Sequence, residues 1–240
     1  YSFVPFGACF QGFRNYIRHA VAVDATHLKG QYKGVIFVAA CTDGDEQIYP
    51  IAFGFGDGES DNSWTWFLSR LRTAIGCPSD LIFISDRHMS IENAIKVAFP
   101  CVPHVNCYQH LKENLKKQCR NVMVKQLFKR ATFRYLRSEC DQDLAQIQSL
   151  HSSTYTWLKQ TVGVEKWARA YSPRRRYKML TTNVAESLNN AMKKARKLPI
   201  TAAHEFLRSM LQRWFSDRRQ AVQAVTSTIT NTSLHRTQAT

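Results

Sequence analysis

Three apolar runs follow one another early in the chain, and their alternation narrows the fold to a unit of antiparallel sheet. His19–Asp24 (HAVAVD) is a short apolar run ending in a carboxylate, as a buried strand would at its carboxyl end. Gly34–Cys41 (GVIFVAAC) is a second strand, and Thr42–Glu46 (TDGDE) is turn chemistry. In the third, Tyr49, Ile51, Phe53 and Phe55 alternate with Pro50, Ala52 and Gly54, the period of two that a pleated strand imposes. An antiparallel meander is expected.

The pattern then changes period. Asp61 is a plausible N-cap for a helix with Trp64, Phe67, Leu68, Leu71 and Ile75 on one face, stopped by Gly76 and Pro78. Leu81–Ser85 (LIFIS) is another strand, ending at Asp86, and Ser90–Phe99 is a helix closed by Pro100. The order β-β-β-α-β-α makes this an α/β chain. From Leu111 to about Leu180 the sequence is irregular, helical, basic and aromatic, and is read as an all-α insertion. Thr182–Lys197 returns to an amphipathic helix with Val184, Leu188, Ala191, Met192 and Ala195 on its apolar face. Its polar face carries Glu186, Asn189 or Asn190, Lys193 and Lys197. A last helix, Thr201–Val225, buries Phe206, Leu207, Met210, Leu211, Trp214 and Phe215. The expected division is a core over 1–110, a helical basic insertion over 111–180, completing helices over 181–225, and a Ser/Thr-rich tail or linker over 226–240.

Composition bounds the function. With 240 residues, 44% hydrophobic and 12% aromatic, the chain can bury a core and is not disordered. It has no run of about 18 apolar residues, so no membrane span is expected. It begins without Met and is read as a piece of a longer protein. Its seven scattered cysteines suit a reducing interior, cytosol or nucleus. The net charge of +15 is unevenly placed: residues 1–110 balance to −2 and residues 111–240 to +17. Basic surface of that density meets phosphate, or else is a solvated face that aids solubility.

Phosphodiester cleavage with two metal ions needs a few carboxylates converging on hard cations. Asp24 and Asp86 follow apolar strand segments, where a carboxylate is costly unless solvated, paired or metal-bound. Each also has an ordinary reading, Asp24 as a turn residue and Asp86 as a helix cap. Asn183-Val-Ala-Glu186 has capping-box spacing, which explains Glu186 without catalysis. Asp43, Asp45, Asp57, Glu59 and Asp61 all fall in turn or cap contexts.

The ordered blocks are more specific than any one of these. VDATHLKGQYKGVIFVAACTDGDEQIYPIAFGFGDGESDNSWTWFL, ISDRHMSIENAIKVAFP, CYQHL and LTTNVAESLNNAMKKARKLPI, in that order from about Val21 to Pro199, resemble the transposase domain of Mutator-like elements. That resemblance implies an RNase H-like, retroviral integrase-like mixed sheet with the all-α insertion before the last catalytic helix. It implies a triad of Asp24, Asp86 and Glu186 as catalytic and metal-binding residues, holding two Mg²⁺ or Mn²⁺ ions. The implied activity is metal-dependent strand cleavage and strand transfer in cut-and-paste transposition, in the nucleus, on transposon ends and target DNA, with a homo-oligomer as a possible assembly. A domesticated relative acting as a DNA-binding transcription regulator stays open, since intact acids do not prove activity. A cellular RNase H-like nuclease fits less well, because of the insertion.

Cys101, His104, Cys107 and His110 recur every third residue and invite a zinc reading, although structural zinc ligands usually come from separated segments. The resemblance assigns Cys107 and His110 to a CxxH motif near the active site. His27 and His88 follow the two strand acids and can touch substrate or pack. Trp157 and Trp167 lie in the basic insertion, able to stack on a base or to form core. Arg174, Arg175, Arg176 and Lys178, with Lys193, Lys194 and Lys197, are the expected DNA-backbone contacts.

Overall fold

The computed structural model describes residues 1–224; the expected tail over 226–240 lies outside them. Six strands form one sheet in the order β1-β4-β3-β2-β5-β6. They are β1 (Ser2–Val4), β2 (Ala20–His27), β3 (Val35–Thr42), β4 (Ile48–Gly56), β5 (Ile82–Ser85) and β6 (His104–Asn106). β2, β3 and β4 form the antiparallel meander, whereas β5 and β6 run parallel to β2. The two parallel crossovers are helices, α2 (Asp61–Ile75) and α3 (Met89–Ala98), as parallel pairing requires.

Local chemistry sets these elements. β3 is buried from Val35 to Cys41, which explains its unbroken apolar run in place of alternation. The turn between β3 and β4 is closed by the Asp43 carboxylate, which accepts from the backbone N–H groups of Asp45 and Gln47 at 3.0 and 2.9 Å. α2 is capped by Ser60, not Asp61: Ser60 Oγ accepts from Ser63 N at 3.2 Å, and Asp61 is the first helical residue. The opening residues gave no clear pattern, yet they form edge strand β1 and helix α1 (Gly7–Tyr16), which buries Cys9 and Phe13.

Between the sheet strands and the final helices in chain order comes a second hydrophobic cluster. α4 (Tyr108–Gln118), α5 (Val122–Phe133), α6 (Arg137–Leu150) and the short α7 (Ser152–Thr156) pack Leu111, Leu115, Leu127, Phe128, Ile147 and Trp167 together. A π-helical stretch, Trp157–Gly163, follows α7. Buried within this cluster, Asp143 accepts from Arg130 Nε at 2.7 Å and Arg134 Nε at 3.1 Å. The segment leaves and rejoins the sheet domain at one point, where Tyr108 N–H donates to Leu180 O at 2.8 Å.

The chain then forms α8 (Asn183–Ala191) and α9 (Ile200–Gln223). α8 ends earlier than the apolar spacing predicted. The chain turns at 192–194 and forms a 3₁₀ segment at Ala195–Lys197, where the Arg196 carbonyl accepts from the backbone N–H groups of Lys29 and Gly30, at 2.7 and 3.1 Å. Gly30 permits that approach: a Cβ there would sit 2.7 Å from the Lys197 carbonyl oxygen. No described helix is long and apolar enough to cross a membrane.

Candidate active site

Asp24 does not end its strand. β2 continues through Ala25, Thr26 and His27, paired with Phe37, Ile36 and Val35. What stops before Asp24 is the parallel pairing with β5, whose last registered pair is Ala22 with Ile84. Carried two residues further, just past the end of β5 at Ser85, that register sets Asp24 level with Asp86, with the strands spaced about 4.8 Å apart. Both acids therefore stand at the carboxyl edge of the parallel half, where open α/β sheets present their ligand crevices.

α8 lies over this edge. Asn189 Nδ2–H donates to Asp24 Oδ2 at 2.8 Å, and Glu186, one turn earlier, takes a hydrogen bond on Oε1 from Thr182 Oγ1 at 2.9 Å. Asp86 Oδ1 accepts from His88 N at 3.1 Å, a turn bond at the start of α3. Burial pushes the Asp24 carboxyl up to about 7; a backbone hydrogen bond opposes this, and the charges of Asp86 and Glu186 add to the rise. Three carboxylates thus share one electrostatic neighbourhood.

Cys107 caps α4 and His110 lies one turn into it. Cys107 Sγ accepts from Thr182 N at 3.3 Å and lies 3.3 Å from Thr182 Oγ1. The Cys107 side chain beside it pushes the His110 imidazole up to about 9 against the effect of burial, with Asp86 and Glu186 contributing, so a cation faces the acids at neutral pH. Burial raises the Cys107 thiol, but His110 and Thr182 outweigh it and the net direction is downward. The four-residue Cys/His run is not one site. Cys101 is exposed, and His104, pushed down to about 4 by burial, pairs through Nε2 with Ser85 Oγ at 2.8 Å. Ser85 Oγ–H in turn donates to Asp86 O at 2.7 Å, bracing the backbone of the second acid. His27 and His88 are exposed.

Residues 20–114 match the model of the MULE transposase domain. Over that stretch the chain is similar to the MULE transposase domain. No curated protein matches it. Among solved structures, a chain of the simian T-cell lymphotropic virus intasome, determined by cryo-EM in complex with PP2A regulatory subunit B56γ, is 14% identical. The match covers 60% of this chain and 48% of that one, with a TM-score of 0.30; this chain spans about half the length of its counterpart. The HTLV-2 integrase catalytic core domain, solved as a dimer with magnesium, is 13% identical over 61% of this chain and 90% of its own, with a TM-score of 0.29. The strand order itself, an antiparallel trio followed by two parallel strands, is the RNase H-like arrangement expected from the resemblance.

Around this acid edge the basic residues sort unequally. Arg176 is 2% exposed, donates from Nη1 to Trp167 O at 2.9 Å, and is no DNA contact; its guanidinium is packing inside the insertion. Arg174 is tied to backbone carbonyls, donating to Leu81 O at 2.5 Å and Cys101 O at 3.1 Å. Lys178 pairs with Glu46, and Arg175 is exposed. Lys193, Lys194 and Lys197 gather instead with Lys29 and Arg196 around a cleft of about 300 Å³, and among the described residues none of the five forms an ion pair with an acid. Lys29 and Arg196 were not singled out by sequence; the backbone bonds from 29–30 to the Arg196 carbonyl and the bond from Arg196 Nε to His27 O bring them together. Trp167 is core, with Nε1–H donating to Leu158 O at 3.1 Å. Trp157 is half-buried, with the Arg87 guanidinium 5.7 Å from its ring centroid.

Proposed function

We propose that this chain is the catalytic domain of a DDE transposase, cleaving DNA strands and joining them to a target in the nucleus, with Asp24, Asp86 and Glu186 as its metal-binding acids. The observation that carries the proposal is the Asp24 carboxyl, held near neutrality in a buried site beside two further acids. Such a concentration of hard oxygen donors fits a divalent cation, and an orphaned acceptor beside it, Asn189 Oδ1, adds to the fit. Bound there, two Mg²⁺ or Mn²⁺ ions would supply charge neutralisation at the attacking and departing oxygens.

The residues divide the remaining work. Asp24, Asp86 and Glu186 would hold the ions, and Asn189 and Thr182 fix the orientation of the first and third carboxylates. The cationic cleft of Lys29, Lys193, Lys194, Arg196 and Lys197 suits the backbone of DNA entering beside α8. In cleavage, water oxygen bonds to phosphorus as the bond from phosphorus to the 3′ oxygen breaks, leaving a 3′ hydroxyl and a 5′ phosphate. That hydroxyl then attacks a target phosphodiester in the same way. No covalent protein–DNA intermediate is needed.

The test is incubation of the protein with element-end DNA and Mg²⁺ or Mn²⁺, beside Asp24→Asn, Asp86→Asn and Glu186→Gln. Metal-dependent nicking lost in all three variants is expected. Binding without nicking by the native protein overturns the proposal in favour of a DNA-binding regulator.

A further inference from the structure

A second cation chemistry is written into the same corner of the fold. Among the described residues, one group of possible metal-ligating side chains lies within 4.8 Å of one another: Cys107, His110 and Glu186. They come from three places, the N-cap of α4, its first turn and the first turn of α8. A thiol, an imidazole and a carboxylate are poor company for Mg²⁺, which demands oxygen, but a common donor set for Zn²⁺. Bonds of about 2.0–2.3 Å put tetrahedral zinc ligands somewhat under 4 Å apart, so a shift on the order of 1 Å closes the trio around one ion.

Two independent features favour occupation. His110 Nδ1 is buried with no hydrogen-bond partner, an orphan that a metal, displacing a proton from the imidazole, would satisfy. Thr182, buried between the ligands, touches two of them through Oγ1, at 3.3 Å to Cys107 Sγ and 2.9 Å to Glu186 Oε1, and so orients both. With three protein ligands the fourth position is left for water, the pattern of an accessible site and not of a closed structural one.

We propose that Cys107, His110 and Glu186 form a site for a soft divalent cation, Zn²⁺. Cys101 and His104 take no part. Zinc binding itself does not depend on the nuclease reading; one consequence does rest on it, namely that Zn²⁺ held here withdraws Glu186 from the hard-ion site and arrests cleavage.

Co²⁺ is the probe, because thiolate ligation to it gives a near-ultraviolet charge-transfer band with no DNA or turnover involved. Metal-free protein titrated with Co²⁺ should develop the band at one equivalent, lose it on adding equimolar Zn²⁺, and keep it in excess Mg²⁺. Cys107→Ser and His110→Ala should abolish it, Glu186→Gln should weaken Co²⁺ binding at least tenfold, and Cys101→Ser should leave it intact. Far-ultraviolet circular dichroism separates lost binding from lost folding, and half-exposed His110 is the gentler substitution. No band in the native chain, or a band that survives in folded Cys107→Ser, overturns the proposal. Failure of DNA nicking leaves this readout unaffected, so the two proposals fail separately.

Discussion

Asn189 reaches across from α8 to place its amide on Asp24 at 2.8 Å, joining residues 165 positions apart in the chain. It is the direct link between the first acid and the helix that carries the third. Because Glu186 and Asn189 are three residues apart, they share a face, and a helix that delivers one delivers the other.

Removing that link should misplace Asp24 without unfolding the helix. Asn189→Ala is expected to lower metal-dependent nicking by about 10–100-fold while DNA affinity, measured by gel shift in the absence of divalent metal, stays unchanged. A parallel loss of affinity would show that Asn189 serves DNA and not Asp24.

The raised Asp24 carboxyl makes stability depend on pH. Its folded pKa, about 7, lies above the ordinary value of 3.8, so the folded state binds this proton more tightly than the unfolded chain. The stabilisation is complete below about pH 4 and is lost as pH rises through about 7. Metal-free thermal melts should therefore fall between pH 5 and pH 8, and Asp24→Asn should flatten that slope. Mn²⁺ at pH 8 should restore the native melting temperature and do little for the variant.

The two sets of basic residues make opposite forecasts. Lys193→Ala and Lys194→Ala should weaken DNA binding and reduce the slope of log affinity against log salt by about one per lost phosphate contact. Arg176→Met, inside the insertion, should leave both unchanged. A flattened slope in Arg176→Met would mean that its segment opens to meet DNA.

Asp143 holds α5 to α6 through two arginines. Asp143→Ala removes two charge-assisted hydrogen bonds, but its partners reach solvent, being 49% and 33% exposed. A loss of about 1–3 kcal/mol in urea unfolding is expected. No loss would mean that the apolar cluster alone holds those helices.

Where periodicity was strong, the sequence was legible: β3, β4, α2 and α3 fall within a residue or two of their expected bounds, because alternation and helical spacing directly encode burial. Asp24 was read one step wrong. Ala25-Thr26-His27 looks like a turn in isolation and is a strand because β3 offers it partners. Glu186 kept part of its capping character, since its carboxylate accepts from Thr182, the residue before the helix, and not from the backbone of Asn183. The three-residue strands β1 and β6 are too short to carry a period. In Arg174–Lys178 the chain is irregular, so nothing in the sequence distinguished buried Arg176 from exposed Arg175.

The pairing of Tyr108 N–H with Leu180 O has a bearing on how such proteins diversify. A segment whose two ends lie side by side can vary at its far end and keep its stem: a longer or shorter excursion beyond that junction leaves the host sheet and its acid edge in register. Sequence spacing between the second and third acids then becomes a quantity that drift and selection can adjust, while the closeness of Asp24 and Asp86 is set by the parallel pairing of β2 with β5.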